Sequence, residues 1–281
     1  MYNIEVIYQD DNFAIINKPS MLSLFSDRAH SVSLWDLLKE YFKGKAIYQV
    51  HRLDKGTSGV LLIAFSKNVQ AQLNRQFLQR TTEKYYLAIC VGEPSPSNGC
   101  IDLPLCPGRK SRFRVAGQRD SIFLNQKLDT ATWMLPPSVD SVTPDRKFYP
   151  SQTLFHTIFS DGQYSLLMLK PITGRTHQIR VHLAWIGHQL LGDTLYGRPS
   201  SSIQQADRLA LHSFRLQLTE NWLAGVAPQK RVFQAPIPDF FTDFMCGRVQ
   251  QRADAALDLQ STLDLQSALD MALSSLERAQ G

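Results

Sequence analysis

The chain has 281 residues, 43% apolar and 20% charged, with 30 basic and 25 acidic side chains and a formal charge of +5. This composition excludes global disorder, and no unbroken apolar run, Val60 to Phe65 included, approaches the ~20 residues a membrane span requires. The N-terminus lacks the basic start and apolar middle of a secretory leader, so a cytoplasmic protein is expected.

Ile4 to Tyr8 and Phe13 to Asn17 read as two short strands joined by Asp10-Asp11-Asn12, a hairpin signal. Leu34, Leu37, Leu38 and Tyr41 recur at helical spacing behind Ser33, which is placed to cap the helix. Gly59 to Phe65 predicts a buried strand, Lys67 to Arg80 a helix built on Val69, Leu73 and Phe77, and Tyr85 to Val91 a further strand. Cys106 to Gln118 is basic and irregular, and residues 119 to 150 carry four prolines with little periodicity, as a surface insertion would. A second hairpin is predicted from Thr153 to Phe159 and Tyr164 to Lys170 around Ser160-Asp161-Gly162-Gln163. Ile179, Leu183 and Ile186 share one helix face that Gly187 ends, and Phe214, Leu216 and Leu218 alternate with Arg215 and Gln217 as a half-buried strand.

The pattern predicts an α+β fold, a mixed and largely antiparallel sheet with peripheral helices. Residues 1–247 form its body. Residues 248–281 form an acidic amphipathic tail, with Leu259, Thr262, Leu265, Leu269, Ala272 and Leu276 on one stripe. The four cysteines (Cys90, Cys100, Cys106 and Cys246) show neither disulfide nor zinc spacing and read as simple buried or half-buried thiols. Removing the acidic tail leaves a basic body, weak evidence for a polyanionic partner.

Two polar concentrations stand out. In His51-Arg52-Leu53-Asp54-Lys55-Gly56-Thr57-Ser58-Gly59 a single carboxylate lies among cations, which favour its ionised form as a nucleophile requires. The plain alternative is a turn tied by a surface ion pair. In Gly174-Arg175-Thr176-His177-Gln178-Ile179-Arg180-Val181-His182 the forked donors suit carboxylate or phosphate, against the alternative of a solvated helix face. His177 and His182 are five apart with no glutamate, so no metal is expected. Of Tyr85 and Tyr86, adjacent on a strand, only one can face a given cleft. Arg109, Lys110, Arg112 and Arg114, interleaved with Phe113, suit an RNA backbone and an exposed base, or simply a solvated loop.

In this order, His51-Arg52-Leu53-Asp54 with Thr57-Ser58-Gly59, then Lys84-Tyr85-Tyr86, the Thr173 to His182 segment and Leu191-Gly192-Asp193 resemble the RluA family of pseudouridine synthases. Asn17-Lys18-Pro19-Ser20, Ile101 to Leu105 and Leu209-Ala210-Leu211-His212 support the likeness, which covers roughly Ile4 to Phe240. An N-terminal S4-type RNA-binding domain, common in the family, is not seen ahead of it. The resemblance implies a pseudouridine synthase fold with a central RNA-binding cleft, acting on a uridine of ribosomal or transfer RNA without a cofactor. It implies Asp54 as nucleophile, attacking C1′ of the ribose or C6 of the base, Tyr86 against the target base, and Arg180 paired with the aspartate. Substrate contacts are expected from His51, Arg52, Thr57, Arg175, His177 and Ile179. RNA is the expected partner, with no membrane or metal, and a monomer is expected. Two other readings remain at this point: a non-catalytic RNA-binding or chaperone protein on the same scaffold, and an aspartate-dependent hydrolase, which would normally need a second carboxylate near Asp54.

Overall fold

A computed structural model describes residues 4–26, 32–110, 112–127, 130–136, 147–198, 206–220, 229–252 and 261–279. In chain order the elements are β1 (Glu5–Gln9), β2 (Phe13–Lys18), α1 (Leu34–Tyr41), β3 (Tyr48–Gln49), β4 (Ser58–Ala64), α2 (Lys67–Gln79) and β5 (Glu83–Val91). Then come β6 (Asn98–Asp102), β7 (Leu105–Pro107), β8 (Phe113–Val115), β9 (Phe123–Asn125), β10 (Thr132–Met134), β11 (Gln152–Ser160) and β12 (Tyr164–Pro171). The last are α3 (Gln178–Trp185), β13 (Leu211–Glu220), β14 (Gln229–Gln234), α4 (Asp239–Arg252) and α5 (Ser261–Arg278). They fall into two compact units, Met1–Tyr86 with Leu211–Ile237 and Leu87–Ala210 with Pro238–Gly281.

In the first unit β2 pairs antiparallel with β1 and β4, β3 pairs antiparallel with β4, and β13 runs parallel to β4 and antiparallel to β14. The sheet is covered on both faces, which is why β4 is apolar along its length. Val60, Leu62 and Ala64 pack with Val69 and Leu73 of α2, whereas Leu61 and Ile63 pack with Leu34 and Leu38 of α1. Ser33 caps α1 as expected, and Asp36 at its third position reaches back to the Ser33 backbone, closing a capping box. β13 departs from the half-buried expectation: Gln217 is buried, and Arg215 lies over the Tyr85 ring at 5.5 Å.

The second unit holds β12, β11, β6, β10 and β9 in that order, antiparallel except for the β6/β10 pair. The α+β class and the largely antiparallel pairing match the expectation. The Cys106 to Gln118 segment is more regular than its composition implies, because β7 and β8 form an antiparallel hairpin around Gly108 to Arg112. The stretch 119–150, read as an insertion, contains β9 and β10, each three residues long and too short to show a period. The domain boundary expected at residue 247 falls inside α4, which continues to Arg252. Arg248 of α4 holds the β11–β12 turn through Asp161 and Gln163, and its guanidinium lies over Tyr164 at 4.8 Å. In α5, Leu269, Ala272 and Leu276 of the anticipated stripe are buried, with the helix packed on β11 and β12. Leu259 and the Thr262 side chain lie outside what is described. Cys90, Cys100 and Cys106 are buried as expected, whereas Cys246 on α4 is exposed, against the expectation that all four are at least half-buried.

Candidate active site

Asp54 sits in the loop between β3 and β4, half-buried, with Arg52 exposed beside it. The loop is held mainly through its backbone. Thr57 N–H donates to the Asp54 carbonyl at 3.1 Å, and the Ser20 hydroxyl donates to the Gly56 carbonyl at 2.6 Å. Beneath it the Lys18 ammonium, with no exposed surface, donates to the carbonyls of Pro19, Lys55 and Thr57 at 2.8, 3.1 and 2.9 Å. A fully buried ammonium is tolerable only with such a set of acceptors. Sequence reasoning gave Lys18 no role, although position 18 has the parity of Ala14 and Ile16, the α1-facing side of β2.

After the loop, Ser58 and Gly59 pair with His212 and Ser213 of β13, and Ser58 Oγ meets His212 Nδ1 at 2.8 Å. Gly59 has φ +102°, and a Cβ there would lie 2.1 Å from the Ser213 carbonyl oxygen. Only glycine allows this approach. The two tyrosines diverge as a strand requires. Tyr85 is buried and donates to Glu83 at 2.7 Å, whereas Tyr86 is half-buried. Burial pushes the Tyr86 phenol up to about 12; the Ser213 hydroxyl opposes this, and the Asp54 charge adds to it. The charge on the nucleophile candidate therefore resists ionisation of this tyrosine, and the phenol stays protonated at neutral pH.

His51 and Thr57 are occupied by the protein itself. His51 Nε2 accepts from the Leu62 N–H at 2.9 Å and its ring stacks on Phe77, and Thr57 is buried in the turn.

In the second unit the approach to α3 is a closed chain of side-chain hydrogen bonds. Gln178 Oε1 accepts from Thr173 Oγ1 at 2.6 Å and from Arg175 N–H at 3.0 Å, while its Nε2 donates to the Gln152 carbonyl and to Thr153 Oγ1. Thr153 Oγ1 meets His182 Nδ1 at 3.0 Å, and His182 Nε2 meets the Leu103 carbonyl at 2.9 Å. Because a carbonyl only accepts, Nε2 carries a proton. Burial pushes His182 down to about 4, the bond to Leu103 opposing it.

Arg180 is buried and grips Asp193 with both prongs, Nε to Oδ2 and Nη2 to Oδ1, each at 2.8 Å. Asp193 Oδ1 also accepts from the N–H groups of Leu195 and Tyr196. Burial alone would raise the Asp193 carboxyl, but the Arg180 guanidinium and these amides hold it below the usual range. The Tyr196 ring lies 5.2 Å beneath the Arg180 guanidinium, and its hydroxyl meets His177 Nδ1 at 2.8 Å and accepts from Phe113 N–H. Asp193 and Tyr196 are partners that motif reading left without a role, although Asp193 closes a quoted segment.

His177 precedes α3 in a left-handed conformation, φ +57°, instead of lying on its face. Ile179 is buried, and Arg175 lies over Tyr149 at 5.3 Å. Arg109, Lys110 and Arg112 are exposed at the β7–β8 turn, Arg114 is half-buried on β8, and β8 packs against α3. Among the described residues, no group of three or more His, Cys, Asp or Glu could hold a metal ion.

Two solved human structures share this fold. RNA pseudouridylate synthase domain containing 4 superposes with a TM-score of 0.66 at 24% identity, covering 87% of this chain and 92% of its own. RNA pseudouridylate synthase domain containing 1 does so with a TM-score of 0.63 at 23% identity, covering 91% and 96%. These define the fold as that of a pseudouridine synthase. In sequence, residues 12–185 match the RNA pseudouridylate synthase family. The dual-specificity RNA pseudouridine synthases RluA of Salmonella typhi and of Escherichia coli K12 are each 34% identical over 218 residues, 76% of this chain and 86% of theirs. The chain belongs to the RluA family of RNA pseudouridine synthases and is an isomerase acting on uridine in RNA.

Proposed function

We propose that Asp54 is the nucleophile of this isomerase, that Tyr86 stacks on the target base, and that Arg180 partners and aims the carboxylate. The observation that carries the assignment is a loop whose backbone is pinned by Lys18 and Ser20, from which the Asp54 charge is felt at the Tyr86 phenol. Attack at C1′ or C6 frees uracil from its ribose, the base turns, and a bond forms through C5. No external group enters, so no cofactor is required. With its phenol protonated, Tyr86 serves as platform and hydrogen-bond donor, and taking up the C5 proton requires passing its own proton on. Arg52, exposed beside the nucleophile, is assigned to hold the displaced nucleotide, since extruding a base costs a few kcal/mol. The basic hairpin from Arg109 to Arg114 is assigned to the RNA backbone.

The substrate is structured RNA, ribosomal or transfer or both, in keeping with the dual specificity named for the bacterial relatives. The enzyme is proposed to act in the cytoplasm as a monomer. Asp54→Asn, a neutral isostere, is expected to abolish tritium release from C5-labelled uridine while RNA affinity stays within about tenfold. Turnover by that variant rejects the nucleophile. Product RNA of unchanged mass separates isomerisation from base loss by a hydrolase. Arg180→Lys keeps the charge but loses the fork, so a wild-type rate counts against its aiming role.

A further inference from the structure

β4 carries β2 along one edge, from Gly59 to Ala64. Its other edge is shared: β3 pairs only at Ile63 and Ala64, and β13 pairs at Ser58 and Gly59. Between them β4 has no strand partner on that side among the described residues, and here the chain leaves the sheet to form the Asp54 loop. The Leu62 N–H that would face this gap donates instead to His51 Nε2 at 2.9 Å. The imidazole is fixed from behind by stacking on Phe77 of α2, with ring centroids 4.9 Å apart and planes at 20°. Gln49 Nε2 donates to the His51 carbonyl, and Gln70 Nε2 to the Gln49 carbonyl, so the backbone leaving β3 is held at both residues.

An imidazole that accepts at Nε2 carries its proton on Nδ1 and is neutral. Burial, helped by the Lys84 charge, pushes it down to about 3 against a bond to the Arg52 backbone, so it stays neutral at working pH.

We propose that His51 is a positioning residue, a side-chain rung in the β4 ladder that sets where the nucleophile's loop departs, and that it makes no contact with RNA. The proposal rests on Asp54 being the nucleophile. The test compares His51→Phe, which keeps the stacking ring but removes the acceptor, with His51→Gln, whose amide oxygen can still accept from Leu62. Each is assayed by steady-state tritium release and by amide exchange at Leu62.

His51→Phe is expected to lower kcat about 10- to 100-fold with KM for RNA within about twofold, and to speed Leu62 exchange at least about tenfold. His51→Gln recovers kcat to within about fivefold and restores Leu62 protection. A raised KM with unchanged kcat in either variant makes His51 an RNA contact and overturns the proposal, as does unchanged Leu62 exchange in His51→Phe. If His51→Phe does not fold, the KM and Leu62 protection of His51→Gln decide alone. Turnover by Asp54→Asn would remove the nucleophile assignment while leaving the Leu62 result standing, so the two failures are distinguishable.

Discussion

The loop bearing Asp54 and the loop entering α3 are the two polar concentrations of the chain, and they are built in opposite ways. Around Asp54 the backbone is held: the carbonyls of Lys55, Gly56 and Thr57 are captured by Lys18 and Ser20, while Arg52 reaches solvent. At α3 the side chains are held, since Gln178, Thr153, Thr173 and His182 satisfy one another and Arg180 is locked to Asp193. Even the histidines differ. His51 accepts a backbone N–H at Nε2, whereas His182 donates from Nε2 to a backbone carbonyl. A loop held by its backbone can change its side chains at little cost in folding. A network of buried side chains cannot, because each deletion leaves a partner unsatisfied.

The contrast breaks most sharply at Asp193. Asp193→Ala strips Arg180 of its bidentate partner and leaves two backbone amides without an acceptor, so denaturant titration is expected to show a loss of about 3–5 kcal/mol. A loss below about 1 kcal/mol would mean the pair does not hold this region. On the Asp54 side the intolerant position is one of backbone, Gly59, where alanine meets the Ser213 carbonyl at 2.1 Å in a left-handed conformation. Gly59→Ala should cost about 3 kcal/mol, and β4–β13 amides should exchange faster.

Gln178→Leu, which abandons four hydrogen bonds in the α3 network, should cost about 2 kcal/mol. Arg52→Ala should change stability by less than about 0.5 kcal/mol while weakening turnover; equal losses of stability in the two variants would erase the distinction between the regions.

One effect is shared by both regions. His51 and His182 are held down to about 3 and about 4 from 6.5, so the unfolded chain binds protons that the native protein refuses. Their contribution is therefore complete above about pH 7 and declines as pH falls through 6.5 toward 4, by about 1 kcal/mol per histidine at pH 5.5. Denaturation midpoints across that range check it, and His182→Gln should flatten the slope.

Much of the scaffold is legible because single-period signals agree with burial. The β1–β2 and β11–β12 hairpins, the Ser33 cap and the end of α3 at Gly187 lie where alternation, capping chemistry and glycine place them. The motif residues of the site are legible too, but their partners are not. Lys18 reads as an ordinary strand-end lysine until its three carbonyl acceptors are in view, and Asp193 gains its meaning only from Arg180, thirteen residues away. Spacing of three residues would put His177 on one helix face with Arg180. The Gln178 side chain instead folds back onto the Arg175 amide, ending the loop in a tight turn that excludes His177 from the helix. β9 and β10 escaped because three residues carry no period, and α4 because its role depends on Arg248 finding a distant turn.

The distribution of thiols has a practical consequence. Burial pushes Cys90 and Cys100 up to about 12, Cys106 is buried as well, and Cys246 alone is open to solvent, on the helix that Arg248 clamps to the β11–β12 turn. A maleimide fluorophore added to the native enzyme at neutral pH should couple at one position, so RNA binding can be followed by anisotropy without engineering a cysteine-free background.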